Sequence, residues 1–280
     1  MEWKDVVDQP FRVLPQVQAG DDFTMGLDIN GDVWVWGNND YGQLGQGYGT
    51  SSSMTTIIDF NFGKTGNSDR YIVKIAAGAR HALALDNEGN VWVWGDNSYG
   101  QLGLGTMGGD HSRPEEMKTL NLGGSGVKIV SIYALDSSSY IGDGKGTLYA
   151  FGAGENFMKQ GDIMTEGYGS KPTPLSLLAR TLEIGHGYAL RGSGTIWELP
   201  VDSLSPDVRR VGAEDRNKNM VAMSAHSDTY HYPENGVEHD ADVNHLLAID
   251  REGKLWALGD NYWGQTGIAG GVSSGSANLA

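Results

Sequence analysis

No cysteine occurs among the 280 residues. Disulfides, thiolate metal sites, iron–sulfur ligation and thiol nucleophiles are therefore excluded. No run approaches 18 apolar residues, so no membrane-crossing helix is expected. The stretch Met1 to Pro10 carries Glu2, Asp5 and Asp8 where an export signal needs basic residues followed by an apolar run, so no such signal is expected. Positive charge is scarce, with 20 Lys and Arg against 35 Asp and Glu and a formal charge of −15. An acidic surface repels phosphate backbones, which disfavours nucleic acid and anionic membranes as partners. The G-x-S-x-G, G-x-x-x-x-G-K-[ST] and H-E-x-x-H signatures are all missing. The acidic pairs Asp21-Asp22 and Glu115-Glu116 have no apolar setting that would raise one carboxyl for acid catalysis. No enzymatic activity and no cofactor are expected.

What the chain has in excess is glycine, 42 residues against only 8 prolines, which favours many tight turns. The glycines follow a long period. The segment "GDVWVWGNNDYGQLGQG" at 31–47 returns as "GNVWVWGDNSYGQLGLG" at 89–105. A looser copy runs from Gly146 to Gly161, a front half survives at 194–200, and a clear copy spans Gly253 to Gly267. The glycines opening the copies, Gly31, Gly89, Gly146, Gly194 and Gly253, are 58, 57, 48 and 59 residues apart. Five units fill the chain.

Within a unit, "HALALDNEGNVWVWG" at 81–95 is an alternating strand, a polar turn and a second alternating strand, which is a β-hairpin. In its second strand Val91 and Val93 share one face and Trp92 and Trp94 the other, so both faces call for burial between stacked sheets. A further apolar run precedes each hairpin, and another strand candidate precedes most of these, as at 55–60 and 207–212. About four short strands per unit, repeated five times without helical periodicity, predict an all-β β-propeller of five four-stranded blades. The unit edges fall approximately at 1–47, 48–105, 106–161, 162–205 and 206–267, and 268–280 is a small, polar tail.

The run from Ala77 through His81, Asp86, Gly89, Trp92, Trp94, Gly95, Asp96 and Asn97 to Gly100-Gln101-Leu102-Gly103 resembles the repeat of the regulator-of-chromosome-condensation (RCC1) type propellers. Residues 17–47 and Val243–Gly267 carry the same pattern, the third unit is eroded, and the fourth keeps His186, Gly194 and Trp197. The resemblance implies a propeller that commonly has seven blades. Residue counting here favours a closed five-bladed ring over two cryptic blades or an arc completed by a partner.

The pattern assigns structural roles to Trp36, Gly37, His81, Trp94, Gly95, His186, His245, Trp256 and Gly259. The repeated histidines are expected to bond backbone within their own blades rather than to meet at a metal. The Gly-Gln-Leu-Gly segments at 42–45 and 100–103 are expected to connect one blade to the next. Tyr41, Tyr99 and Trp263 precede glycines of these segments and form either interblade packing or an aromatic rim. One stretch breaks the repeat: "HSDTYHYPENGVEHDADVNH" at 226–245 reads as an inserted rim loop. His231, Tyr232, Glu234 and Glu238 are its candidate interaction residues, and His226, His231, His239 and Asp242 are weak candidates for a divalent metal.

Members of the resembled family include nucleotide-exchange factors for small nuclear GTPases, ubiquitin-ligase modules and bacterial or phage proteins. The short acidic chain turns the expectation toward a non-enzymatic protein-interaction or structural scaffold, bacterial or viral, self-assembling or bound to a protein partner, and cytoplasmic or virion-associated. Two alternatives stand beside it: a carbohydrate- or metal-binding protein or enzyme using the central pit or the 226–245 insertion, and a guanine-nucleotide exchange factor.

Overall fold

The computed structural model describes residues 13–49, 52–60, 70–118, 127–153, 169–175, 180–185, 188–198, 209–210, 219–234 and 237–259. None of the described residues is helical. The strands are β1 (Gln16–Ala19), β2 (Phe23–Leu27), β3 (Val33–Gly37), β4 (Ser52–Ile57), β5 (Ile72–Ala77), β6 (His81–Asp86), β7 (Val91–Asp96), β8 (Asp110–Glu116), β9 (Ile129–Leu135) and β10 (Ser138–Asp143). They continue with β11 (Leu148–Gly152), β12 (Gly169–Leu175), β13 (Thr181–Gly185), β14 (Tyr188–Arg191), β15 (Ile196–Glu198), β16 (Arg209–Arg210), β17 (Met220–Glu234), β18 (Val237–Asp250) and β19 (Leu255–Gly259).

Consecutive strands pair antiparallel into five meanders: β1 to β4, β5 to β8, β9 to β12, β13 to β16, and β17 to β19. This is the strand plan of propeller blades. The first four have the expected four strands, and the fifth has three among the described residues. The expected unit edges at 47, 105, 161 and 205 fall inside sheets, because each of the first four sheets takes its last strand from beyond the expected edge. Segments 55–60 and 207–212 therefore contribute β4 and β16 to the preceding sheets, and do not open the following ones. The outermost strands are polar: β8 reads DHSRPEE and β12 GSKPTPL. Proline and charge on an outer strand suit an edge that needs backbone pairing on one side only.

The chain divides into two compact units, Glu2–Arg180 and Thr181–Ala280. In the first unit the aliphatic face of one sheet receives the aromatic face of the next. Phe23, Met25, Leu27, Val33 and Val35 of the first sheet form one buried cluster with Ala82, Ala84, Trp92 and Trp94 of the second. Leu83, Leu85, Val91 and Val93 on the opposite face of the second sheet cluster with Ile141, Tyr149 and Phe151 of the third. In the second unit Tyr188, Leu190 and Ile196 of the fourth sheet pack with Met223, Leu246 and Ala248 of the fifth, with Trp256 against them. Burial of a large aliphatic or aromatic side chain contributes about 2 kcal/mol, so these serial interfaces carry the fold.

The hairpin turns are closed by an aspartate. Asp86 accepts the amides of Glu88 and Asn90 through Oδ1, both at 2.9 Å, and the Trp92 indole through Oδ2 at 3.1 Å. Asp28 and Asp250 repeat this clasp with Trp34 and Trp256 at 3.2 and 2.9 Å. Asp143 does so with the Tyr149 hydroxyl at 3.2 Å. In the fourth sheet Arg191 replaces the aspartate and Thr195 Oγ1 accepts from the Trp197 indole instead. Burial pulls the Asp86 carboxyl upward, but Arg70, Asn90 and Trp92 outweigh it and hold the group below the usual carboxylate range.

Candidate functional site: a protein-interaction surface

The β-meander places the turn between its first and second strands and the segment between its third and fourth at the same end of each sheet. In the first three sheets the first turn is short, running through Asp21, Ala79 and Asp136. The Asp21 amide donates to the Ala79 carbonyl at 3.0 Å and the Ala79 amide to the Asp136 carbonyl at 2.7 Å, so these turns are tied sheet to sheet. Gly37, the last residue of β3, and Gly95, the last but one of β7, have φ of 117° and 97°. A Cβ on Gly95 would stand 2.5 Å from the Arg80 carbonyl oxygen, so a side chain there forces the backbone apart.

The Gly-Gln-Leu-Gly segments join the third and fourth strands of one sheet, whereas the sequence reading made them connectors between blades. They also press on the next sheet. The Trp94 indole donates to the Gln43 carbonyl at 2.9 Å, and the Gly47 amide to the Ser112 carbonyl at 2.7 Å. Asn39 and Asn97 brace the segments by accepting the amides of Leu44 and Leu102 at 3.0 and 3.2 Å.

Tyr41 is half-buried, with the Arg80 guanidinium 4.6 Å from its ring centroid and donating to its hydroxyl at 3.0 Å. This contact joins the segment after β3 to the turn between β5 and β6. Tyr99, Tyr48 and Met107 at the same end are exposed. Asp21, Asp22, Asp40 and Asp136 are exposed beside them.

His81 is buried, but its partner differs from the expected backbone group. Its Nε2 lies 2.8 Å from Ser139 Oγ on the third sheet, and that hydroxyl donates to the Gln101 carbonyl at 2.7 Å. With the hydroxyl proton so committed, the imidazole is the donor. Complete burial lowers its pKa to about 4 despite the nearby Asp96 carboxylate. His81 is thus a neutral link between sheets. Phe23 occupies the equivalent place in the first sheet and His245 in the fifth, each opposite the closing glycine of its hairpin, Gly37 and Gly259. His186 and Trp263 lie outside the described residues.

The largest departure from the sequence reading is at 226–245, which is two strands and not a loop. His226 pairs with His245, and pairing continues through Ser227↔Asn244 to Glu234↔Val237. Eight further pairs thus extend beyond the position where the first three sheets turn back. At about 3.3 Å per residue this ribbon is roughly 26 Å long. Alternation along paired strands puts His226 and His239 at positions on one face and His231 and Asp242 at positions on the other, so the four metal candidates do not share a face. The interaction candidates divide likewise: Tyr232 and Glu234 fall on the first face, His231 and Glu238 on the second. No helix among the described residues is long and apolar enough to cross a membrane.

Comparison with known proteins bears on this arrangement. Models of the regulator of chromosome condensation (RCC1) repeat match residues 16–43 and 72–101, and a second such model matches 30–85 and 88–134. The human E3 ubiquitin-protein ligase HERC2 is 38% identical over 91 residues, which are 32% of this chain and 2% of that protein. Human RCC2 is 35% identical over 129 residues, 46% of this chain and 23% of that protein. Human HERC6, a probable E3 ubiquitin-protein ligase, is 29% identical over 259 residues, covering 92% of this chain and 19% of its own length. The chain therefore spans less than a quarter of these three relatives. Among solved structures, human WBSCR16 superposes with a TM-score of 0.68 at 20% identity, over 94% of this chain and 65% of that one. Prp20p of Saccharomyces cerevisiae, whose binding to Gsp1p and histones was studied with its structure, gives 0.66 at 21%, over 90% and 58%.

Proposed function

We propose that this chain, a β-propeller fold whose residues 16–134 match RCC1 repeats, is a non-enzymatic protein-binding module whose recognition element is the β17–β18 ribbon. The ribbon carries the proposal because it breaks the repeat. Repeated positions serve repeated packing, as the aspartate clasps and the Asn39 and Asn97 braces do, and task-specific residues belong to what is unrepeated. Residues 226–245 hold five Asp and Glu and no Lys or Arg, within a chain of net charge −15. That charge selects a basic protein surface and accelerates its encounter. The relatives span ligases and RCC2 proteins, which have the repeat in common and not one named activity. The virion-associated reading draws no support from these human and yeast relatives.

The test replaces Ser227–Asn244 by a two-residue turn and measures binding to histones, the basic proteins that Prp20p was studied with. Loss of at least tenfold in affinity, with binding by the parent weakening steeply as salt rises, is the expected result; equal binding by both forms refutes the role of the ribbon.

A second reading, guanine-nucleotide exchange on a small GTPase, is favoured by the likeness to Prp20p, studied together with Gsp1p. Release of labelled GDP from Gsp1p, followed with and without the chain, tests it. Acceleration of tenfold or more would make exchange the activity, and an unchanged rate would remove it.

A further inference from the structure

Four of the five hairpin turns close on a carboxylate of their own, and one does not. Asp28, Asp86, Asp143 and Asp250 each accept two amides of their turn through Oδ1, from the second and the fourth residue onward. The first pair is Asn30 and Asp32, at 2.8 and 3.1 Å, and the second is Glu88 and Asn90, both at 2.9 Å. Lys145 and Thr147 follow at 2.9 and 2.8 Å, and Glu252 and Lys254 at 3.0 and 2.9 Å. Such donors favour the negative charge itself: the Trp256 indole and the Lys254 amide hold the Asp250 carboxyl below the usual carboxylate range.

The turn of the fourth sheet keeps the backbone bonds and has Arg191 at the aspartate's position. The Arg191 amide donates to the Thr195 carbonyl at 2.9 Å and the Gly194 amide to the Arg191 carbonyl at 2.8 Å. The matching bonds in the second sheet, Asp86 to Asn90 and Gly89 to Asp86, are 3.0 and 3.1 Å. Gly194 has a φ of 74° where Gly89 has 89°. The two amides that a carboxylate receives elsewhere are here those of Ser193 and Thr195, and neither has an acceptor among the described residues. Two hydroxyls and a guanidinium belong to the same turn. Ser193 Oγ and Thr195 Oγ1 lie 2.8 Å apart, and Thr195 Oγ1 also accepts from the Trp197 indole. One hydroxyl proton is used between the pair, which leaves the other to donate outward. The Arg191 guanidinium is 5.6 Å from the Trp197 ring centroid. In the second sheet the Arg70 guanidinium is 5.3 Å from the Trp92 centroid and is bonded to the Asp86 carboxylate, so a cation over this tryptophan is within reach of the carboxylate's place.

We propose that the Arg191–Thr195 turn binds an oxyanion, a phosphate or carboxylate group standing where the other four turns hold their own aspartate. The Ser193 and Thr195 amides receive one oxygen, and the guanidinium and the remaining hydroxyl proton receive the others. The ligand is not tethered to the chain and approaches a protein of formal charge −15, so binding is weak and depends on these short-range donors. The inference is independent of the ribbon and of any protein partner.

The test follows backbone amide resonances of the isotope-labelled intact chain at pH 7 and constant ionic strength. Inorganic phosphate is titrated in one series and acetate in another. Saturable shifts of the Ser193 and Thr195 amides are the expected result, with those of Glu88 and Asn90 unmoved because Asp86 already fills their turn. The probe that saturates at the lower concentration identifies the group. Arg191→Asp rebuilds the clasp and is expected to abolish the response, with circular dichroism to verify the fold. Arg191→Gln keeps the amides, removes the cation and is expected to weaken binding roughly tenfold. No saturable shift of the parent with either probe overturns the proposal. So does a response that Arg191→Asp retains in full, or an Arg191→Gln variant that binds as the parent does.

Discussion

Replacing His81 by phenylalanine should flatten the acid limb of the protein's stability curve. The imidazole is completely buried, with a pKa of about 4 against 6.5 for an ordinary histidine. Below pH 6.5 the unfolded chain takes up a proton that the folded chain refuses until about pH 4. The contribution of neutral His81 is therefore complete above pH 6.5 and is lost as pH falls toward 4. One pKa unit corresponds to about 1.4 kcal/mol, so the total loss is about 3 kcal/mol. Phenylalanine fits because the first sheet already uses it: Phe23 lies over Gly20 as His81 lies over Gly78, each ring carbon 2.1 Å from where a glycine Cβ would stand. Urea denaturation of both proteins at pH 7, 5.5 and 4.5, followed by tryptophan fluorescence, measures the difference. The parent should lose about 2 to 3 kcal/mol more than the variant between pH 7 and 4.5. Parallel curves would show that the proton taken up on unfolding is not that of His81, and would refute the reasoning.

The aspartate clasps should be unequal in strength. Asp86→Ala strands two amides, the Trp92 indole and the Arg70 guanidinium, which retains Glu88 and Glu116 at 3.4 and 3.7 Å; a cost of about 3 kcal/mol follows. Asp28→Ala, in a more exposed turn, should cost about 1 kcal/mol, and equal losses in thermal unfolding would contradict the difference in burial. Gly95→Ala meets both positive φ and the Arg80 carbonyl and should cost about 3 kcal/mol or abolish soluble expression, whereas Gly49→Ala, with nothing within 4 Å of its Cβ, should be neutral in the same assay.

Much of this architecture was legible in the residues because it repeats. The Trp-rich hairpins alternate with period 2 and recur at nearly constant spacing, so the five units and the all-β class followed. The phase of the outer strands did not, since β8 and β12 offer charge and proline and no apolar alternation; they are held by backbone pairing on one side. The clasp had a readable signal that composition concealed: Asp28, Asp86 and Asp250 each stand six residues before a tryptophan, and Asp143 six before Tyr149. For the ribbon, the absence of apolar alternation pointed to a loop. The better signal was Asn235-Gly236 between two stretches of equal length, the dipeptide that suits a two-residue hairpin turn. The partner of His81 was not legible, because Ser139 is 58 residues away and joins it only through the stacking of sheets.

The central claim is that the unrepeated ribbon gives this domain its binding function. The most direct measurement is a titration of the intact chain and of the form shortened at 227–244 against the same purified histones, at low and at physiological salt. Binding by the intact chain that falls at least tenfold on shortening, with the hairpin-based sheets still folded by circular dichroism, is the predicted result. Binding of equal strength by both forms, or by neither, would contradict the claim and leave the repeated end of the sheets as the surface to test.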